Sequence, residues 1–416
     1  MKRNVLLVIA LLGVFSLGAN AQYNLLGELI EGTGAPASPF DDLGFSLATN
    51  GNTVAVTGYQ ASLGSVLVYV EPTGGWGNMS QPTAVLTTSD GSALNAVAIN
   101  GTTIVATSSS GSAYVYVMPT GGWVSKTQDA VLSAADGASL TSVAVSGNTV
   151  VAGSPTASGV NSGTGAAYVF VEATGGWANM TQTAKLTAKD GLTDDRMAAS
   201  VAIDGKTVVA GAPDKRIGKI CPAQGCHFFQ GAAYVFVQGA SGWADMTQTG
   251  ELTVSNGQPG DNLGSAVAVV GPVAVVGASQ QDTYTGPGQA YIFIAPKGGW
   301  TNRSQSARLY ASDGKKYSYF GSSISMSATT VVVGASNGNI GANVEQGAAY
   351  VYVQPTGGWR GSVKQTAKLQ ASDGTVGDQF GWSVSVNVTS GTAVVAAGAP
   401  YHGVSSNTAQ GTAYVF

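Results

Sequence analysis

An internal repeat is the feature that most constrains the fold of this chain. A strand-like segment with central aromatic residues occurs seven times, as in AAYVFV from Ala166 and AAYVYV from Ala348. Equivalent positions of the copies lie 47 to 66 residues apart and fall at Leu67, Tyr114, Tyr168, Tyr234, Tyr291, Tyr350 and Tyr414. A period of this size is typical of propeller blades, in which each repeat forms one four-stranded sheet.

Each repeat contains the pattern of four strands. The segment SVAIDGKTVVAGAP from Ser200 shows the first two, because β-branched residues flank an Asp-Gly pair of the kind that favours hairpins. The aromatic segment is the third strand, and a fourth such as TAKLTA from Thr183 follows a TGGW turn. The 59 glycines among 416 residues suit a chain with this many tight turns.

The two ends of the sequence predict how the ring of blades closes. The residues NLLGELIEG from Asn24 match a fourth strand, whereas Phe416 directly follows a third strand. If the N-terminal strand completes the last repeat, seven full blades form and no sheet edge stays open. We therefore expect an all-β fold over residues 22–416, a single seven-bladed β-propeller of four-stranded blades that is closed by the N-terminal strand.

Residues 1–21 have the pattern of a signal peptide. Lys2 and Arg3 precede the apolar run VLLVIALLGVF, and Ala19 and Ala21 stand where small residues are needed for cleavage. Cleavage between Ala21 and Gln22 predicts a secreted, periplasmic or cell-surface protein. No later segment approaches about 18 consecutive apolar residues, so we expect no membrane span in the mature chain.

The charge of the chain argues against one class of partner. The formal net charge is -4, and loss of the two basic residues Lys2 and Arg3 with the signal peptide makes it -6. Such a chain has no excess of basic residues to neutralise the phosphates of nucleic acid. We expect an extracellular protein or a glycan as the partner, no nucleic acid, and a monomer.

The repeats resemble FG-GAP repeats, the units of the integrin alpha-chain β-propeller, which also occur in bacterial exported proteins. The family is named for a Phe-Gly pair near the first strand and a Gly-Ala-Pro triplet after the second. Phe-Gly stands here at Phe320 and Phe380, and Gly-Ala-Pro at residues 211–213 and 398–400. The resemblance implies a propeller and, since adhesion receptors are among the members, a binding role.

Calcium is the cofactor that the resemblance would imply. Calcium-binding members carry an Asp-rich loop of the type D-x-D-G-x-x-D between the first two strands, and its oxygen atoms are the ligands. The corresponding turns of this chain are short, as in TNGNT from Thr49 and IDGKT from Ile203. We therefore expect no cofactor and carry no calcium site over.

The tryptophan of the repeated GGW turn has two interpretations. It occurs at Trp76, Trp123, Trp177, Trp243, Trp300 and Trp359. Exposed rings would form a multivalent platform for sugars, whereas buried rings would pack against the outer strands. The spacing of nine or ten residues from each Trp to the Leu of the fourth strand, as from Trp177 to Leu186, favours packing.

The loops that do not repeat are the expected binding surface. Connections from second to third strands and from blade to blade emerge on one face, opposite the GGW turns, and variable loops on a rigid scaffold commonly carry recognition. The residues assigned to this surface are Asp214, Lys215, Arg216, His227, Phe228, Tyr284, Tyr401 and His402. Recurrent Asp residues in the turns between blades, such as Asp190 and Asp378, are assigned to turn formation rather than to an acidic rim.

The two cysteines lie close together within DKRIGKICPAQGCHFFQ. In an exported chain, the pair Cys221 and Cys226 predicts a small disulfide loop. The alternative is a metal site made by both cysteines and His227, but no second cluster completes a tetrahedral set of ligands. We expect the disulfide and no metal.

No catalytic residue is expected. The two histidines, His227 and His402, lie in different repeats, and the sequence contains neither H-E-x-x-H nor a phosphate loop. The predicted function is that of an exported, non-catalytic adhesion propeller that recognises a protein or a glycan through its loop-rich face. The alternatives are a lectin that uses the GGW tryptophans and a carbohydrate-active enzyme with a pair of carboxylates across the central face.

Overall fold

The computed structural model describes residues 23–30, 42–58, 64–159, 161–217, 229–280, 286–404 and 409–416. These residues form β-strands, turns and loops, and their seven sheets surround one axis. The chain is a seven-bladed β-propeller, so the predicted fold is confirmed. We number the blades 1 to 7 in the order in which their first strands occur.

Each blade is an antiparallel sheet that runs outward from the axis in chain order. The first strands are Ser46–Thr49, Leu94–Asn100, Ser142–Ser146, Ser200–Asp204, Leu263–Val270, Ile324–Ser327 and Val384–Thr389. The second strands are Thr53–Thr57, Thr103–Ser108, Thr149–Ser154, Thr207–Ala212, Val273–Ala278, Thr330–Ala335 and Thr392–Ala399.

The outer half of each blade holds the aromatic repeat and the strand that follows it. The third strands are Val66–Val70, Ala113–Val117, Ala166–Val171, Ala232–Val237, Gln289–Ile294, Ala348–Val353 and Thr412–Val415. The fourth strands are Ala84–Thr87, Ala130–Ser133, Ala184–Thr187, Gly250–Thr253, Ala307–Tyr310 and Ala367–Leu369, with Gly27–Leu29 as the fourth strand of blade 7.

A short strand after the GGW turn joins each of several blades to the blade before it. Met180–Thr181 of blade 3 lies parallel to the fourth strand of blade 2. The side-chain amides on either side of it accept hydrogen bonds from backbone N–H groups in and just after that fourth strand. Asn179 Oδ1 accepts from Val131 N at 2.8 Å, and Gln182 Oε1 accepts from Ala135 N at 2.9 Å. Equivalent strands are Lys126–Thr127, Met246–Thr247, Arg303–Ser304 and Gly361–Lys364. We call this arrangement the interblade clasp.

The ring closes through the N-terminal strand, as predicted. Gly27–Leu29 pairs antiparallel with Thr412–Val415, so that Glu28 lies opposite Tyr414. The same strand also receives a clasp from blade 1, because Met79 forms a parallel bridge with Leu29 and Asn78 Oδ1 accepts from Glu28 N at 3.1 Å. Blades 7 and 1 are thus joined in the same manner as consecutive blades.

The GGW tryptophans belong to the packing between blades. Trp123, Trp243, Trp300 and Trp359 are buried, whereas Trp76 and Trp177 are half-buried. Trp359, which is 1% exposed, shares a buried apolar cluster with Ile292 and Leu309 of the preceding blade. The packing interpretation is therefore confirmed for the four buried rings, which cannot offer a face to a sugar.

Substitution of Trp359 tests this packing role. We expect Trp359→Ala to lower the free energy of unfolding by about 3–5 kcal/mol, because it opens a cavity between two blades. Trp359→Phe should cost less than about 2 kcal/mol, because the ring stays and the lost indole N–H is buried without a hydrogen-bond partner among the described residues. Urea unfolding of both variants measures the difference, and equal losses would contradict the cavity argument.

Candidate functional site

The loop-rich face comprises the connections from second to third strands and from blade to blade. Of the residues predicted to bind there, the structure describes Asp214, Lys215 and Arg216 of blade 4 and Tyr401 and His402 of blade 7. Arg216 is exposed, and Asp214 is engaged by Arg196 Nη1 at 3.3 Å. The remaining assigned residues, His227, Phe228, Tyr284, Cys221 and Cys226, lie outside the described residues, and their roles stay predictions.

Lys215 differs from the expectation of an exposed, ligand-facing residue. It is 4% exposed, and its Nζ lies 2.8 Å from Asp190 Oδ2, 3.8 Å from Asp195 Oδ2 and 3.9 Å from Glu251 Oε1. Burial raises the pKa of Asp195 and of Glu251. Burial also acts to raise the pKa of Asp190, but the hydrogen bond and charge of Lys215, together with the hydrogen bond from Tyr234, outweigh it and lower that pKa. Lys215 is a buried counter-ion that joins blades 3 and 4.

His402 occupies the same place in blade 7 and is also buried, at 7% exposure. Its Nδ1 lies 2.8 Å from Asp378 Oδ2, and its Nε2 lies 3.4 Å from Asp373 Oδ2. Burial acts to lower the pKa of His402, but the hydrogen bond and charge of Asp378 outweigh it and raise that pKa, with Asp373 and Glu28 adding to the effect. The prediction that His402 faces a ligand is therefore replaced by a structural role between blades 6 and 7.

A buried aspartate explains why these loop residues turn inward. Asp195, Asp261 and Asp378 each accept a hydrogen bond from the backbone N–H three residues earlier, as expected of turn-forming residues. Each needs a second partner because it is nearly inaccessible to water. That partner is Lys215 in blade 4, Gln280 in blade 5 and His402 in blade 7.

A second repeated contact ties each Asp-Gly turn to the next blade. Five aspartates there accept a hydrogen bond from the hydroxyl of a third-strand tyrosine, in the pairs Asp90–Tyr114, Asp136–Tyr168, Asp190–Tyr234, Asp313–Tyr350 and Asp373–Tyr414. At the first pair this bond lowers the pKa of Asp90 to about 2. The contact was missed at the sequence level, although the matched recurrence of Asp-Gly and of the first tyrosine of each aromatic segment is a signal that could have found it.

Three aromatic side chains pack together on the loop-rich face where blade 7 meets blade 1. The ring centroids of Phe45 and Trp382 are 5.5 Å apart, and those of Trp382 and Tyr401 are 5.9 Å apart and nearly perpendicular. Tyr401 is 37% exposed and the other two rings are half-buried. We call these three residues the aromatic cluster. Only Tyr401 was predicted, but Trp382 is the one tryptophan outside the GGW turns.

The central channel has aliphatic walls. A cavity of about 300 Å³ lies on the axis, lined by first-strand residues of all seven blades such as Val97, Val143 and Val384. As far as the structure describes this lining, it includes hydroxyl and amide groups but no carboxylate.

One sequence match to a hydrolase motif also has a structural explanation. Residues 334–338 read GASNG and fit the pattern G-x-S-x-G, in which a serine nucleophile is exposed on a strand-to-helix turn. Ser336 instead follows a second strand and is buried, and its hydroxyl donates to Asn337 Oδ1 at 3.1 Å. The match is a coincidence of the Gly-Ala-Ser turn of blade 6.

The described residues hold neither a cluster of metal-binding side chains nor a membrane-spanning helix. No three or more His, Cys, Asp or Glu side chains in this part of the chain are grouped so that they could hold a metal ion. Likewise, no helix long and apolar enough to cross a membrane occurs in it.

Removal of Lys215 tests its role as a buried counter-ion. We expect Lys215→Met to cost about 3–5 kcal/mol, because Asp195 and Glu251 lose the cation that compensates their burial. Lys185→Met is the matched control, since Lys185 pairs with the exposed Asp136 and such pairs contribute about 1 kcal/mol or less. Urea unfolding at neutral pH compares the two, and a similar cost for both variants would contradict a buried role for Lys215.

His402 predicts a pH-dependent stability. Its pKa in the folded chain lies above the ordinary value of 6.5, so protonation stabilises the fold fully below pH 6.5, and this contribution disappears as the pH rises through the raised pKa. The groups facing it are Asp378, Asp373, Glu28 and Tyr414. We therefore expect the melting temperature to fall between about pH 6 and pH 8.

Two variants that copy other blades serve as controls for this pH dependence. His402→Lys imitates Lys215 and stays charged, whereas His402→Gln imitates Gln280 and stays neutral, so both should remove the step between pH 6 and 8. Melting curves recorded across this range measure it. Persistence of the step in both variants would assign it to another group.

The comparison with protein-family models agrees with this architecture. The sequence matches the model of the FG-GAP repeat at residues 180–236, 246–293, 303–352 and 363–416. No curated protein matches the sequence. Among solved structures, the chain is similar to the crystal structure of the computationally designed Ika8 protein, at 15% identity and a TM-score of 0.48, over 95% of this chain and 99% of that one. The family model covers half of the chain, and each matched segment runs from the clasp of one blade to the third strand of the next. The protein therefore belongs to the FG-GAP repeat family.

Proposed function

We propose that the protein is an exported, non-catalytic binding propeller whose loop-rich face recognises an extracellular protein or glycan in adhesion or surface interaction. The observation that carries this proposal is the aromatic cluster of Phe45, Trp382 and Tyr401 at the junction of blades 7 and 1. Phe45 and Trp382 stand just before first strands, at the position that Ser265 occupies in blade 5 and Ser322 in blade 6. A local departure from the repeat is where a function distinct from folding is expected.

The chemistry of the cluster suits recognition. Trp and Tyr combine a large apolar area with a polar group and few rotatable bonds, so they lose little entropy on binding and are enriched among the residues that dominate interface energies. The edge-to-face contact of Trp382 with Tyr401 holds both rings before a partner arrives. Preorganised rings of this kind lower the entropic cost of association.

The use of the repeated side chains in packing also supports the loop-rich face over the GGW face. Four of the six GGW tryptophans are buried between blades, so a lectin built on one exposed Trp per repeat is not favoured. Export is supported by the pattern of residues 1–21, with its basic start, apolar run and Ala-x-Ala end.

Substitutions in the aromatic cluster test the proposal. The probes are a glycan array of neutral and acidic oligosaccharides and a panel of immobilised extracellular proteins that includes collagen and fibronectin. For a ligand found in either panel, Trp382→Ala and Tyr401→Ala should each weaken binding at least tenfold, in line with loss of a binding hot spot. Trp177→Phe on the opposite face is the control and should leave the affinity unchanged.

Three outcomes would contradict the proposal. The first is binding that depends on Trp177 and not on the aromatic cluster, which would favour the lectin alternative. The second is turnover of a polysaccharide, which would show an enzyme. The third is the absence of binding to every member of both panels by a protein that melts cooperatively.

A further inference from the structure

The contact between an Asp-Gly turn and the tyrosine of the next blade is missing at one described junction. Between blades 4 and 5 the turn carries Asn256 in place of aspartate, and it faces Tyr291. The hydroxyl of Tyr291 donates instead to Gln289 Oε1 of its own strand, at 2.9 Å. The carboxylate that holds the tyrosine at five other junctions is therefore lacking here.

In blades 3, 5 and 6 the fourth strand carries a basic residue directly opposite the third-strand tyrosine. Lys185 lies opposite Tyr168 and Lys368 lies opposite Tyr350 in the pairing of third and fourth strands. Their ammonium groups lie 2.7 Å from Asp136 and 2.6 Å from Asp313. In blades 3 and 6, a tyrosine hydroxyl and a lysine thus both bind one aspartate carboxylate that the preceding blade supplies.

Arg308 holds the equivalent position in blade 5. It lies opposite Tyr291 in the same register. Its side chain is exposed and stacks over the ring of Tyr310, with its guanidinium carbon 5.4 Å from the ring centroid. Among the residues that the structure describes, Arg308 forms no ion pair. The junction therefore keeps the cation of the repeated site and has lost the anion.

A pocket occupies this place. Its cavity of about 400 Å³ is lined by Asn256, Tyr291 and Arg308 together with Ser255, Gln305 and Ser362. A lone carboxylate is much smaller than such a volume, and the wall around the guanidinium consists mainly of hydroxyl and amide groups. This lining suits a ligand that carries one carboxylate and several hydroxyl groups.

We propose that the pocket binds a uronic acid residue of an acidic polysaccharide. The planar guanidinium of Arg308 matches a carboxylate with two parallel hydrogen bonds, and the site that Asp136 and Asp313 fill in other blades shows that the framework accepts a carboxylate there. Asn256 and the serine hydroxyls then bind the hydroxyl groups of the sugar. Gln305 and Ser255 already bond to each other in the clasp, with Gln305 Nε2 donating to Ser255 Oγ at 3.1 Å. An acidic protein side chain would use the arginine and leave Asn256 and the Ser362 hydroxyl unused.

The site stands apart from the aromatic cluster, since it lies between blades 4 and 5 and shares no residue with it. Experiments can therefore contradict binding at the pocket without contradicting binding at the aromatic cluster, and the reverse. A weak single site of this kind suits a polymeric ligand, in which neighbouring uronic acid residues raise the effective concentration.

Substitutions that copy or remove parts of the repeated site test the proposal. The probe is an oligogalacturonate trimer, titrated calorimetrically into the full mature chain, with the methyl-esterified trimer as the uncharged control. We expect binding of the acid and not of the ester. Asn256→Asp supplies the internal carboxylate and should weaken binding at least tenfold, and Arg308→Gln should do the same by removing the cation.

Thermal melting separates these effects from misfolding. Asn256→Asp should raise the melting temperature by about 1–3 °C, because the new carboxylate accepts from Tyr291 and pairs with Arg308 as in blades 3 and 6. Lys185→Gln is the matched control, because its junction already holds Asp136, and it should leave binding unchanged. Loss of binding together with a higher melting temperature would not be explained by a damaged fold.

Several results would overturn the proposal. They are no binding of the acidic trimer by the wild-type protein, equal binding of the ester, or wild-type affinity in Asn256→Asp or in Arg308→Gln. Binding of poly-glutamate in preference to the trimer would assign the pocket to an acidic peptide instead of a saccharide.

Discussion

The interblade clasp is the interaction on which the structure depends. Each four-stranded blade would end in an open edge at its fourth strand, and unpaired edges of this kind favour aggregation. The segment after the next GGW turn covers that edge, with strand pairing at Leu132 and Met180 and with side-chain acceptors at Asn179 and Gln182. The tryptophan before the clasp fills the space beneath it, which explains why turn, Trp and clasp recur as one unit.

Because the blades repeat the same contacts, a position at which one blade differs from the others is informative. In blades 4, 5 and 7 a residue that follows the second strand contacts a buried aspartate, and this residue is Lys215, Gln280 or His402. The junction of blades 4 and 5 keeps Arg308 and lacks the aspartate that would pair with it. Within a propeller, comparison of one blade with the next thus distinguishes residues that hold the ring from residues that are free to bind.

The sequence was sufficient to predict the propeller, the number of blades and the ring-closing strand, because these depend on period and on alternation of apolar residues. It was not sufficient for the binding face, because loop position does not reveal whether a side chain turns inward. Lys215 and His402 look like surface residues until their carboxylate partners from the preceding blade are known. Trp382 and Phe45 meet only through closure of the ring, at a sequence separation that no local pattern reports.

The central claim is that blade 7 is completed by Gly27–Leu29 and is then as firmly held as an internal blade. Amide hydrogen exchange of the protein, read by mass spectrometry on peptides that cover individual strands, tests it most directly. The account predicts that amides of Thr412–Val415 exchange as slowly as those of the equivalent strand Ala166–Val171 in blade 3. Fast exchange of Thr412–Val415 beside slow exchange of Ala166–Val171 would show that the ring is open and contradict the account.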